Sequence, residues 1–330
     1  LAEDKSVSLS FFLQSLFRKE SFREGQIEIL NKALQKHNPI ALLPTGAGKS
    51  LTYQLASLLQ PGLTIVVDPI KSLMKDQNEN LISAAIDATT YINSSLTPVQ
   101  REANTRKFAE GEYLFAFVSP ERFIVQPFRR TLSHIANNGK CFSYCVIDEA
   151  HCVSEWGHDF RTAYLKLGEN ARLFCSTNNG LEKVPIIGLT GTASFDVLSD
   201  VQREVHLIDE SSIIRPEKLE REELTFKVKV FNATLAGPTT DRNIWASVGA
   251  ATHQTLINLV SNELLDEFNA RKFSEFVKPK GDSTNCGIIF CPHKGGEFGV
   301  KRIAELLRNT FPEIKHAIGE YYGGGDGGDK

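Results

Sequence analysis

From position 40 onward, short and almost wholly apolar runs alternate with stretches of helical spacing. The runs are residues 40–43, 64–67, 88–91, 114–118, 144–147 and 186–189. Strands apolar on both faces need cover on both, and interposed helices give that cover to a parallel sheet. The expected fold is therefore α/β, a parallel sheet with helices on both faces. One intervening helix is well marked, with Thr97 as N-cap, Pro98 in the first turn and Gln100 closing a capping box. In such sheets ligands gather at the carboxyl ends of the strands, so polar clusters placed just after an apolar run carry the functional signal.

The first run leads into Pro44-Thr45-Gly46-Ala47-Gly48-Lys49-Ser50, then into Leu51, Leu55, Leu58 and Leu59 at helical spacing. Strand, glycine turn and helix form the setting of a phosphate-binding loop. The backbone from Thr45 through Gly46, Ala47 and Gly48 would cradle phosphate oxygens, with Lys49 reaching the β- and γ-phosphates and Ser50 ligating Mg²⁺. ATP with Mg²⁺ is the ligand this implies. Leu43 stands where the general pattern has glycine, and an ordinary surface turn is the competing description. Upstream lies Phe22-Arg23-Glu24-Gly25-Gln26. The Gln26 amide could serve both edges of an adenine, or could simply be solvated.

Each later run ends in a polar cluster. Asp148-Glu149-Ala150-His151 follows 144–147, about a hundred residues beyond Lys49. Asp148 suits a magnesium ion held through water, and Glu149 suits the water that attacks the γ-phosphate. Two acids capping a helix are the plainer alternative. Lys71 and Lys75 follow the second run, Asn93 and Ser94 the third, Ser119 and Arg122 the fourth, and Thr190-Gly191-Thr192-Ala193 the last.

Together these residues resemble the RecQ-like branch of superfamily 2 helicases over roughly 20–205. Phe22, Arg23 and Gln26 look like the adenine-reading motif. Asp148 to His151 look like the DEAH-type acidic box, with Lys49, Asp148, Glu149 and His151 as its catalytic set. Cys152-Val153-Ser154-Glu155-Trp156-Gly157-His158-Asp159-Phe160-Arg161 resembles the branch's aromatic-rich loop. Thr190 and Thr192 match the motif that couples hydrolysis to movement. The pattern departs from the family at Lys19, Asp68, Lys71, Glu155 and Gly191. The resemblance implies a RecA-like P-loop NTPase sheet, an ATP-dependent DNA helicase, and 3′-to-5′ movement on single-stranded and partially duplex DNA.

The aromatic loop has a physical reading of its own. Trp156 and Phe160 lie in a polar stretch without helical or strand period, which suits stacking on unpaired bases, though both rings could instead fill a crevice of their own domain. Arg161 closes this loop. Lys71, Lys75, Asn93, Ser94, Ser119 and Arg122 would hold the strand by its phosphates, without reading sequence. Each could equally be a solvated surface residue.

Residues 1–37 read as a helical lead-in, 38–208 as the first motor domain and 209–330 as the opening of a second RecA-like domain. In that last part, 226–230 alternates like a strand, 231–251 reads as loop, 252–268 as helix, 287–291 as a buried strand and 300–307 as helix. The second-domain arginine motif of the family has no counterpart here, and Leu1 with Met74 as the single methionine reads as a fragment that does not unwind alone. The tail from Tyr321 to Lys330 reads as a flexible or truncated end, with a glycine cradle as the other description. A nucleotide-gated binding module without processive unwinding is the alternative function.

Hydrophobic content of 41% and charged content of 23% suit a globular protein, and a net charge of −3 argues against a polybasic binder without excluding a local phosphate-tracking groove. No apolar run has the length of a membrane span, so a cytoplasmic or, in a bacterium, nucleoid-associated location is expected, with no membrane partner. The six cysteines form no C-x-x-C pair and read as buried thiols, not zinc ligands. Oligomeric state is left open.

Overall fold

A computed structural model describes residues 2–154, 162–177, 182–191, 195–204, 212–215, 225–235, 237–278, 280–281 and 285–322. It divides into two compact units, Leu1–Leu224 and Thr225–Lys330. The first holds a seven-stranded sheet in the order β3-β4-β2-β5-β6-β1-β7. The strands are β1 Ile40–Leu42, β2 Leu63–Val67, β3 Thr89–Ile92, β4 Phe115–Val118, β5 Phe142–Ile147, β6 Ile186–Thr190 and β7 Ile213–Ile214. Every pairing is parallel.

The helices of this unit are α1 Ala2–Phe17, α2 Gln26–Leu34, α3 Lys49–Leu58, α4 Lys71–Ser83, α5 Pro98–Glu110, α6 Gln126–Asn137, α7 Leu167–Cys175 and α8 Phe195–Glu204. Successive strand side chains point to opposite faces. Val66, Tyr144 and Val146 accordingly pack with Ile29 of α2, Tyr53 of α3 and Met74 of α4. Ile65, Val67, Cys145 and Ile147 pack with Phe108 of α5, Leu132 of α6, Ala171 of α7 and Val201 of α8. The all-buried strands are thus covered on both sides, as their unbroken apolarity requires.

The lead-in helix α2 belongs to this core, and the Tyr144 hydroxyl donates to the Ala33 carbonyl at 2.9 Å. β7 pairs with β1, Ile40 opposite Ile213, which carries the sheet past residue 208. Two residues are too short a run to register as a strand from sequence pattern.

The second unit departs from expectation. Its core joins Val260, Ile303, Leu307, Phe311 and Ile314, and the Phe273 and Phe311 rings lie 4.9 Å apart. Residues 231–251 are not all loop, because helix α9 spans Asp241–Asn258 with Thr240 as its N-cap. The strands expected at 226–230 and 287–291 do not form; both stretches lack regular secondary structure. Ile288 and Phe290 are 78% and 91% exposed, and so are not the buried strand their apolarity suggested. A strand needs a partner for its amides and carbonyls, and among the described residues of this unit no strand is present to offer one.

Cys145, Cys152 and Cys175 are buried thiols, whereas Cys141 and Cys286 are exposed, against the expectation that all were interior. No helix among the described residues is long and apolar enough to cross a membrane.

The capping box at α5 is complete, with Thr97 Oγ1 accepting from the Gln100 amide at 3.3 Å and Gln100 Oε1 accepting from the Thr97 amide at 3.0 Å. Thr97→Ala should cost about 1 kcal/mol, read as a lower urea midpoint. An unchanged midpoint would show that the box contributes nothing to the folded unit.

Candidate nucleotide site and nucleic-acid edge

β5, β6 and β1 are neighbours, with Ile147 opposite Gly188 and Leu42 opposite Thr190. Their carboxyl ends therefore deliver the acid pair, Thr190 and the glycine turn to one edge. Burial raises the pKa of Asp148 and the His151 hydrogen bond lowers that of Glu149, while the charge of Lys49 favours the ionised form of each. Gly191 makes the approach close. A Cβ there would lie 2.9 Å from Lys49 Nζ and 3.2 Å from Thr45 Oγ1, space the lysine head needs.

The turn is set by glycine geometry, with φ of 85° at Gly46 and 77° at Gly48, in the region where other residues are strained. A Cβ on Gly48 would also stand 2.5 Å from Gln26 Nε2. Gln26 is buried, and its amide donates to the carbonyls of Ala47 at 2.8 Å and Gly48 at 3.1 Å while accepting from the Arg23 amide at 2.9 Å. The Arg23 guanidinium donates to the Gly46 carbonyl. Arg23 and Gln26 thus brace the loop. In this arrangement both Gln26 amide hydrogens are directed to the loop, leaving an Oε1 lone pair, not a donor, for a base. Beside them opens a cavity of about 870 Å³ whose lining includes Arg18, Lys19, Arg23, Gln26, Ser50 and Gln77.

Asp148 is buried, and burial, followed by the charge of Glu149, raises its pKa from 3.8 to about 6. Its Oδ1 accepts from the Glu149 amide at 2.9 Å and its carbonyl from the Tyr164 hydroxyl at 3.0 Å. Glu149 has φ 47°, a left-handed conformation unusual outside glycine and enriched at functional sites. Its hydrogen bond with His151 holds its pKa below the ordinary value against the opposing effect of burial. His151 Nδ1 lies 3.3 Å from Glu149 Oε2 and 3.0 Å from Thr190 Oγ1. Hydrogen bonding to Cys152 and then to Glu149 raises the imidazole pKa to about 10. Thr190 is buried, and its carbonyl accepts from the Leu43 amide at 3.0 Å, so it joins the strand before the turn to the acidic box.

Ser50 and Asp148 are the hydroxyl and carboxylate that would hold a magnesium ion if one binds at this edge. No cluster of three or more His, Cys, Asp or Glu is present among the described residues, so such an ion would take most of its ligands from phosphates and water. The Tyr53 hydroxyl is buried on the same side as Ser50 and Gln54. Burial and then the charges of Asp148 and Asp68 raise its pKa well above normal, with hydrogen bonding to Gln54 and Ser50 opposing them. Ser50 Oγ accepts from Gln77 Nε2 at 2.7 Å, and Gln77 Oε1 accepts from Gln54 Nε2 at 3.1 Å. Sequence reasoning passed over Tyr53, Gln54, Gln77 and Tyr164. The available signal was polar groups at inward-facing helical positions.

Of the residues expected to face nucleic acid, Lys71, Lys75 and Ser94 are exposed, and Lys75 is 3.6 Å from Glu79. Asn93 is a correction. It is fully buried, with Nδ2 against Met74 Sδ at 3.4 Å and Oδ1 accepting from the Ser95 amide at 2.9 Å, so it shapes its loop and does not offer itself to a phosphate. Ser119 is half-buried. The Arg122 guanidinium sits 5.0 Å from the centre of the Phe128 ring, with burial and then Arg101 lowering its pKa. Trp156, Phe160, Arg161 and Thr192 lie outside the described residues.

Against known proteins, the profile of the DEAD/DEAH box helicase family matches residues 23–201. The chain is 39% identical over 204 residues to an ATP-dependent DNA helicase RecQ of Haemophilus influenzae, covering 62% of this chain and 31% of that protein. It is 37% identical over 217 residues to the ATP-dependent DNA helicase RecQ of Bacillus subtilis, covering 66% and 34%. With the ATP-dependent DNA helicase Q-like 4B of Arabidopsis thaliana it shares 31% identity over 327 residues, 98% of this chain and 24% of that protein. The match thus spans about a quarter to a third of these relatives' lengths.

The buried carboxyl gives a pH prediction. The folded-state pKa of Asp148 lies above the ordinary 3.8, so its contribution to stability is full below that value and is lost as pH rises through about 6. At pH near 7.5 the ionised carboxylate is a net cost, on the order of 2–3 kcal/mol without a cation. Asp148→Asn should raise the melting temperature of nucleotide-free protein in EDTA at that pH and have a much smaller effect near pH 4. An equal effect at both would mean the carboxylate is not desolvated.

Proposed function

Because this chain belongs to the DEAD/DEAH box helicase family, we propose that it is the nucleotide-binding motor segment of an ATP-dependent DNA helicase of the RecQ type. The observation that carries this reading is the parallel register of β5, β6 and β1, whose carboxyl ends bring Asp148, Thr190 and the Thr45–Ser50 turn to one edge. Magnesium, when bound, would supply positive charge that favours phosphoryl transfer. Ser50 and Asp148 would hold it, the latter through water. The Thr45–Ser50 backbone would cradle the phosphates, and Arg23 and Gln26 would keep that backbone in shape beside the base.

Glu149 takes the proton of the attacking water in this reading. His151, its partner at 3.3 Å, ties it to Thr190 and so gives hydrolysis a route to the coupling motif, where Thr192 would act with Thr190. Lys71, Lys75, Ser94, Ser119 and Arg122 would grip one strand by its phosphates, and Trp156, Phe160 and Arg161 would stack on and hold unpaired bases. Single-stranded and partially duplex DNA are the proposed partners, with 3′-to-5′ movement.

A second reading, a nucleotide-gated grip on nucleic acid without processive unwinding, draws on the second unit. There the apolar run at 287–291 stands exposed instead of opening a second sheet.

Lys49→Ala should abolish ATP binding, whereas Glu149→Gln should bind ATP and lose turnover by orders of magnitude in a protein containing both motor domains. Wild-type turnover in Glu149→Gln would remove the base assignment. Trp156→Ala should lose stimulation by single-stranded DNA at unchanged basal turnover, and intact stimulation would return that ring to a packing role.

A further inference from the structure

Ser50 is the only hydroxyl in the glycine turn's last two positions, and its oxygen is not left to rotate. A serine hydroxyl has one proton and two lone pairs, and only a lone pair can ligate a cation. Gln77 Nε2 donates to Ser50 Oγ at 2.7 Å, and so consumes one lone pair and limits the directions of the other two positions. Gln77 is itself fixed at its other end, because its Oε1 accepts from Gln54 Nε2 at 3.1 Å. Gln54 is buried on α3, one turn beyond Ser50, so this amide pair is set by the helix that carries the hydroxyl it orients.

The opposite side of the contact is equally constrained. Gln77 lies on α4, whose inward residues Met74, Asn78 and Leu81 are buried. The turn leading into that helix is closed by Asp68 Oδ1, which accepts from the Ile70 amide at 2.7 Å. Turning both amides over would have Ser50 donate to Gln77 and Gln77 donate to Gln54, and in that arrangement too the hydroxyl is held with a lone pair left free.

We infer that Gln77 is a positioning residue for magnesium: its amide holds the Ser50 hydroxyl so that a lone pair faces the cation shared with Asp148. The inference rests on the nucleotide reading above and adds to it a group from a different helix. Partners that orient a metal ligand typically alter metal affinity about 10- to 100-fold when removed. Gln77→Met keeps the length of the side chain and removes both hydrogen bonds.

The test is equilibrium binding of a fluorescent ATP analogue to the full chain, titrated with Mg²⁺ and repeated in EDTA. Gln77→Met should shift the Mg²⁺ midpoint upward by about 10-fold or more and leave affinity in EDTA unchanged. In a Ser50→Ala background the same substitution should add no further shift, because the hydroxyl it orients is gone. An unshifted midpoint overturns the inference. An equal loss with and without Mg²⁺ also overturns it, since that is how a packing defect behaves, as does a further shift on top of Ser50→Ala. Absence of Mg²⁺-dependent binding in the wild-type chain would overturn the nucleotide reading itself, and the two failures are thereby told apart.

Discussion

Parallel pairing of β5, β6 and β1 is the constraint on which the site depends. Parallel strands share a direction, so all their carboxyl ends meet one edge, and residues far apart in sequence become neighbours there. Lys49, Asp148 and Thr190 come together by that rule. The cover on both faces makes the arrangement rigid. Tyr53 and Met74 pack on one side, Phe108 and Leu132 on the other, and the loops above inherit fixed starting points.

On that frame the site holds charge under tension. Burial works against ionised Asp148, and Glu149 beside it worsens the cost, while Lys49 and His151 offset part of it. Glu149 is kept ionised by its bond to His151 and adopts a backbone conformation that a side chain disfavours. Two acids side by side in a low-dielectric setting thus pull in opposite directions, Asp148 raised and Glu149 lowered. The glycine turn shows the same economy of space. Gly48 lies under Gln26 and Gly191 under Lys49, and in both places a Cβ would displace a functional head group.

The two units differ in how far local pattern decides structure. In the first, apolar runs such as 64–67 and 144–147 find parallel neighbours and become strands. In the second, 287–291 is just as apolar, yet Ile288 and Phe290 are exposed and no ladder forms. Asn93 makes a related point about polarity. A polar residue after a strand looked available for a ligand, but its amide is consumed by Met74 and Ser95 inside the loop.

The sequence by itself determined the α/β class, the glycine turn with Lys49 and Ser50, the acidic pair and the α5 cap, because each is a local pattern whose physics is complete within a few residues. Tertiary structure alone decided that Gln26 and Arg23 brace the turn, that Gln77 from α4 holds Ser50, that Asn93 faces inward and that Ile213 extends the sheet beside Ile40. Those are contacts between segments distant in the chain. Their partners are chosen by packing and hydrogen-bond satisfaction across the whole unit, which no short window of residues contains.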